Sequence, residues 1–204
     1  MRRALVKEHV RVIGVDDGPF TRRHRYAPLV AVALSVPGPV EAILATRVRV
    51  DGRDSTDRIV ELLGSSTHLD GARAILLDGI SVAGFNLVDL DRLHRALGKP
   101  VVSVTRRPPD FPSIRSALAT YFPREFRRRW GLVTRHRPFA APAEDGSVWI
   151  TAVGATRAEA RQLVRRVTVV GHWPEPLRLA RLVARSIRGA RLPCAANVYG
   201  RGAA

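Results

Sequence analysis

AILLDGISVAGFN, Ala74–Asn86, runs four apolar residues into a carboxylate, Asp78, then a glycine and a turn of small residues. A short continuous apolar run that ends in a turn signal predicts a strand covered on both faces. The carboxyl end of such a strand is where open α/β sheets place ligand chemistry. Asp78 is therefore the first candidate functional residue. HVRVIGVDD, His9–Asp17, has the same grammar: it alternates, turns apolar and ends in Asp16 and Asp17 before Gly18. If the two strands lie side by side, Asp16 and Asp78 come within bridging distance, and two close carboxylates must share a proton or a cation. The plainer alternative is that each is a turn-forming Asp ahead of Gly, bonding its own backbone.

The 204 residues suit a single domain, and 46% hydrophobic content is enough to build a core. No apolar run approaches the length of a membrane span. The basic start, Met1–Lys7, leads into an alternating stretch rather than a signal-peptide core, so a cytoplasmic protein is expected. The lone Cys194 excludes an intramolecular disulfide and a cysteine-based zinc site. A net charge of +16 rests almost wholly on Arg, since Lys occurs only at positions 7 and 99. Planar guanidinium forks suit phosphate, so DNA or RNA is the expected partner, although a charged residue on a helix is often only a solvated face.

In chain order, Pro19–Tyr26 is a basic connection carrying Arg22 and Arg25 behind the first strand. Leu29–Val36 and Val40–Val50, joined by Pro37-Gly38-Pro39, complete an antiparallel meander. Asp54 or Ser55 caps a helix with Ile59, Val60, Leu62 and Leu63 inward. After the Asp78 strand, Asn86 or Asp89 opens a helix that closes at Gly98, and Val101–Val104 returns as a strand parallel to it. Arg106 and Arg107 then stand on the same edge as the acids. Phe111–Leu132 predicts one or two Arg-rich helices broken at Pro123, its aromatics more often core at this spacing, although aromatics beside Arg can also stack bases. Arg135–Gly146 is expected as a loop, Ser147–Val153 as a strand, and Thr156–Val167 and Pro174–Ile187 as helices. Residues 1–192 form one domain and 193–204 a loosely held C-terminal tail. His9, His136 and His172 show no metal-ligand spacing with one another. No phosphate-cradling glycine loop, Gly-x-Ser-x-Gly elbow or internal repeat is present.

This order, a meander followed by helix-linked parallel strands with acids at the ends of the first and fourth, is the ribonuclease H-like α/β layout. VIGVDDG (Val12–Gly18), VDGRDSTD (Val50–Asp57), LLDGISVAGFNLVDL (Leu76–Leu90), KPVVSVTRRPPD (Lys99–Asp110) and GHWPEPLRLARLVA (Gly171–Ala184) resemble an archaeal family of unknown function, numbered ninety-nine among such domains and related to endonuclease V. The resemblance implies a metal-dependent phosphodiesterase. Asp16 and Asp78 match catalytic acids, the acid that opens the first helix falls on Asp57 or Asp54, and Mg²⁺ or Mn²⁺ is the implied cofactor. Arg22, Arg25, Arg106 and Arg107 would neutralise phosphates, Arg106 falling near the position of a family Lys. Val153-Gly154-Ala155 stands where endonuclease V carries Val-Gly-His, and Thr46–Arg53 holds no Tyr-bearing wedge. Those differences predict slow cleavage and leave a non-catalytic nucleic-acid-binding protein as the alternative. An enzyme of small phosphate esters or nucleotides is a third reading.

Overall fold

The computed structural model describes residues 9–21, 23–143 and 146–187, and the backbone of 196–199. Arg22 and Cys194 lie outside the described residues. Strands β1 (Val10–Asp17), β2 (Tyr26–Val36) and β3 (Val40–Arg49) form the expected meander, and α1 (Ser55–Gly64) returns the chain to β4 (Ile75–Asp78). A small ribbon of β5 (Ser81–Val82) and β6 (Asn86–Leu87) precedes α2 (Leu90–Leu97) and β7 (Val101–Thr105). The chain continues through α3 (Phe111–Tyr121), a tight turn at Pro123–Glu125, α4 (Phe126–Thr134), β8 (Phe139–Ala143), β9 (Gly146–Val153), α5 (Arg157–Val167), α6 (Glu175–Ser186) and β10 (Ala196–Tyr199).

One eight-stranded sheet has the order β10-β3-β2-β1-β4-β7-β9-β8. β1, β4 and β7 are parallel neighbours, and the remaining pairings are antiparallel. The mixed α/β ribonuclease H-like layout is therefore the observed one. Two strands of this sheet depart from the sequence reading. β8 lies inside the stretch expected as a loop. Its Pro142 is tolerated because β8 is the last strand of the sheet, where a missing N–H costs no ladder bond. Ala196–Tyr199, within the expected tail, pairs with β3 as the opposite edge strand.

Strand alternation divides the core between the two faces of the sheet. Ile13, Val15, Ile75 and Leu77 meet Ile59, Leu62, Leu63 and Leu93 of α1 and α2 on one face. Val12, Leu76, Val102 and Val104 meet Val164, Trp173 and Leu177 on the other. Fully burying each such aliphatic side chain contributes about 1.5–3 kcal/mol. The aromatics of α3 and α4 are mainly core, as expected: Phe111, Phe122, Phe126 and Trp130 pack together over Leu118 and Val133. Tyr121 is the exposed exception.

Helix ends follow local chemistry. Asp89 caps α2 by accepting from Arg92 N, Gly98 closes it in the left-handed conformation, and Thr156 with Glu159 forms a capping box on α5. Asp54 occupies the cap position of α1 but makes no side-chain cap bond there.

Candidate active site

Register places the two strand-end acids together. Val15 pairs with Leu77 across parallel β1 and β4, so Asp16 and Asp78, one residue on, stand side by side on the same face. α6 crosses that face in unusually close contact with β1. A Cβ on Gly14 would stand 2.4 Å from the Pro176 carbonyl carbon, and one on Gly18 would stand 2.5 Å from the Ala184 oxygen. The four-residue step along the strand covers about 13 Å. The eight-residue step along the helix covers about 12 Å, so α6 runs alongside β1 and its midpoint faces Asp16.

The residue this delivers is Arg181. Its Nη1 lies 3.4 Å from Asp78 Oδ2, and its Nε lies 4.0 Å from Asp16 Oδ2. Arg106, at the end of β7, places Nη1 3.9 Å from the same Asp78 oxygen while its guanidinium stacks 3.8 Å over the Trp173 ring. Asp16 is buried. Its Oδ1 accepts from Asp17 N at 2.8 Å, whereas Oδ2 is buried without a hydrogen-bond partner.

Burial pushes the Asp16 carboxyl up to about 8; the charges of Asp78 and Asp17 add to the rise, and Arg181 opposes it. Burial likewise raises Asp17 to about 6, against an Ala83 backbone hydrogen bond. Asp78 is raised by burial and pulled back by Arg181 and Arg106. These folded-state values exceed the ordinary 3.8, so the metal-free native chain binds more protons than the unfolded chain between about pH 4 and pH 8. Its stability is expected to fall as pH rises through that window, by up to about 1.4 kcal/mol per pH unit for each proton involved. Urea midpoints measured in chelator across this range should show the decline, and Asp16→Asn should flatten its upper half. A midpoint that climbs from pH 4 to pH 8 in the parent would contradict the environment described for these acids.

The other expected acids lie elsewhere. Asp54 Oδ1 accepts from Arg49 N and Asn86 Nδ2, and its Oδ2 lies 3.7 Å from Arg58 Nε. Asp57 pairs with Arg92. Among the described residues no three His, Cys, Asp or Glu gather as a metal-holding group. A cluster of three acids that includes the start of α1 is thus not what the fold assembles. Asp17, one residue from Asp16, is the third carboxylate felt at the pair.

Ala155 is also misplaced as the counterpart of the family His. Val153 pairs with Val101 at the start of β7, whereas Asp78 pairs with Val104 at its end. Three strand residues, about 10 Å, separate them. Gly154 packs on the His94 ring instead. His172 is exposed in the turn before α6 and lines a groove with Arg161, Arg165 and Arg166.

Of the expected phosphate ligands, Arg106 is at the acid pair. Arg107 is exposed on the same edge, and Arg25 and Arg47 lie 5.5 and 5.2 Å from the Tyr26 ring centroid.

DGISVAGFN owes its composition to the loop beside Asp78. Gly79, Ala83 and Gly84 have positive φ, and Gly84 packs so tightly on Asp51 that a Cβ would stand 2.2 Å from Oδ1. Buried Asn86 accepts from Ser55 N and donates to Arg49 O and Asp54, tying this loop to the end of β3 and the start of α1. Arg129, buried on α4, donates to Asp51 O, Phe85 O and Glu125. Under this loop lies a mainly apolar cavity of about 350 Å³. Gly79, Ile80, Phe85 and Trp149 wall it, and Ser103, Arg107 and His136 are among its polar residues. Asp91 Oδ2 lies 2.8 Å from His136 Nε2 and orients that ring.

Residues 8–188 match the family described as endonuclease dU. The chain belongs to this family. Similar proteins include a UPF0215 protein of Methanothermobacter thermautotrophicus, 35% identical over 89% of each chain. Another, from Thermococcus kodakarensis, is 37% identical over 89% of this chain and 94% of its own. A crystal structure of a protein of unknown function from Archaeoglobus fulgidus superposes with TM-score 0.77 at 32% identity, covering 89% of this chain and 99% of that one. Ciona intestinalis endonuclease V, in complex with inosine-containing DNA, superposes with TM-score 0.58 at 17% identity over 89% of this chain and 87% of its own. That likeness establishes a shared fold between this endonuclease dU family member and endonuclease V. The family match and the fold agree with the motif resemblance. Among the described residues no helix is long and apolar enough to cross a membrane.

Proposed function

We propose that the protein is a divalent-metal-dependent endonuclease that cuts DNA containing deoxyuridine. The Asp16–Asp78 pair carries this reading: two adjacent carboxylates at the carboxyl ends of two parallel strands, one with a buried oxygen lacking any hydrogen-bond partner. Hard oxygen donors of this kind suit Mg²⁺ or Mn²⁺, and Mg²⁺ is commonly held by only one or two carboxylates with water and substrate phosphate completing its shell. Asp16 and Asp78 would hold the ion, and Asp17 would add negative charge behind them. When bound, the metal would supply Lewis-acid stabilisation of the phosphoryl oxygens and lower the pKa of an attacking water.

The chain's own residues have separate tasks. Asp16 and Asp78 would ligate as carboxylates, Asp16 giving up the proton that its burial favours. Arg106, fixed by Trp173, and exposed Arg107 neutralise the phosphates that flank the cut. The family's description, endonuclease dU, supports deoxyuridine as the substrate. The cavity beside Gly79 supports recognition of a single base, because its volume lies within the range of small-ligand sites, about 300–1,000 Å³. Trp149 and Phe85 offer aromatic surface, and His136 and Ser103 offer hydrogen bonds.

One observation favours the binding-protein alternative: Arg181 lies 3.4 Å from Asp78 and 4.0 Å from Asp16, so the fold holds a cation of its own beside these carboxylates. A single strand carrying one deoxyuridine separates the two readings. With Mg²⁺ or Mn²⁺ the protein is expected to cut at or beside that nucleotide at least about tenfold faster than a thymidine control, a margin of roughly 1.4 kcal/mol. Chelator should stop the reaction. Binding without cleavage under every metal condition would favour the non-catalytic reading. Equal cleavage of both strands would remove the base selectivity.

A further inference from the structure

Two adjacent carboxylates, Asp16 buried and Asp78 partly so, are costly without a cation, and a side chain offsets part of that cost. Arg181 reaches across the pair, its Nη1 3.4 Å from Asp78 Oδ2 and its Nε 4.0 Å from Asp16 Oδ2. It is anchored from behind by the close packing of α6 on Gly14 and Gly18, so its Cα cannot withdraw without disturbing that contact. Its side chain remains 42% exposed, so the guanidinium is free to turn outward by rotating its own bonds. The contacts are also loose: 3.4 Å and 4.0 Å exceed the usual 2.7–2.9 Å of a charge-assisted hydrogen bond. Asp16 Oδ2 therefore faces a cation yet receives no hydrogen bond.

We propose that Arg181 is an exchangeable internal cation: it caps Asp16 and Asp78 when no metal is present, a divalent ion displaces it, and the released guanidinium then meets a phosphate of the nucleic acid. The exchange rests on the metal-dependent reading above and adds to it the residue that sets metal affinity. Arg106 does not share this role, because its guanidinium stacks on Trp173 and contacts Asp78 alone, at 3.9 Å. Arg181 is thus a positioning residue toward the metal and a ligand toward the strand.

The exchange has a thermodynamic signature. A metal that binds only the uncapped pair has its apparent affinity reduced by the fraction of molecules that are uncapped. If about nine tenths are capped, removing the cap tightens binding about tenfold. Mn²⁺ titration calorimetry should accordingly show Arg181→Gln binding about tenfold more tightly than the parent, with Arg181→Lys between them. A gain in affinity by itself would also follow from removing a nearby positive charge, so a second readout is needed. The Arg181 Nε–Hε resonance, assigned by its loss in Arg181→Lys, should shift in proportion to occupancy as diamagnetic Mg²⁺ is added to the parent.

An unmoved resonance at saturating Mg²⁺, or Mn²⁺ affinity equal in parent and Arg181→Gln, overturns the exchange and leaves the nuclease reading standing. Absence of metal binding in both proteins overturns the exchange and the metal-dependent reading together. Should Arg181→Gln fail to fold, the parent resonance alone decides.

Discussion

Asp16→Asn and Asp78→Asn are each expected to reduce metal-dependent cleavage of a deoxyuridine-containing strand by about 10³-fold or more. Lewis-acid stabilisation of a transferring phosphoryl group is worth several kcal/mol, and each ~1.4 kcal/mol is a factor of ten in rate. Asn keeps the side-chain shape but removes one of two adjacent anionic ligands. Metal-free stability should move the other way. Asp16 is buried beside Asp78 and Asp17, so neutralising it removes like-charge repulsion, and the melting temperature at pH 8 should stay level or rise. Rate assays and chelator-treated melting curves on the same preparations check both halves. A variant that cuts at the parental rate would place the chemistry elsewhere. One that melts well below the parent would show Asp16 or Asp78 to be a structural partner.

The largest loss of stability is expected at a residue that never touches the acids. Arg129 is 2% exposed and donates to the carbonyls of Asp51 and Phe85 and to Glu125, with its guanidinium 4.3 Å over the Phe122 ring. Arg129→Ala leaves two carbonyls without their donor, while Glu125 keeps Arg53. Leaving two acceptors unsatisfied, at about 1–3 kcal/mol each, together with the lost hydrogen bond to Glu125, costs about 3–5 kcal/mol. At roughly 2–4 °C per kcal/mol for a chain of this size, the melting temperature should fall by roughly 6–20 °C. Because Asp51 and Phe85 belong to the turns around the cavity, selectivity for deoxyuridine over thymidine should weaken as well. Arg129→Lys keeps the charge but not the planar fork, so it should recover only part of either loss. A melting temperature within 2 °C of the parent, in calorimetry on Arg129→Ala, would show the network to be dispensable.

Much of the architecture was legible along the chain because it follows from local rules. Alternating and continuous apolar runs gave the central strands, Pro37-Gly38-Pro39 gave the meander turn, and Asp89, Gly98 and Thr156 marked helix ends. The acid pair was legible for the same reason. Each Asp ends an apolar run, and a parallel pairing of the two runs must bring the ends together. β8 was not legible, because a Pro- and Ala-rich stretch carries weak strand propensity and is held by its ladder with β9.

Other features existed only once the chain had folded. In sequence, Arg181 is one of several arginines on a helix, and its nearest signal is its place four residues after buried Leu177, on the flank of the apolar stripe. Its meeting with Asp16 depends on how closely α6 approaches β1, which Gly14 and Gly18 allow across more than 160 residues of intervening chain. Asp54 and Asp57 are implied as metal ligands by the family resemblance, yet in the fold they pair with Arg49, Asn86 and Arg92. Ala155 matched a His by motif but was carried to the other end of β7 by antiparallel pairing with β9. Sequence by itself determined which residues carry charge at the ends of strands. Only the tertiary structure decided which charges face one another, because strand order and helix approach are set by packing across the whole sheet.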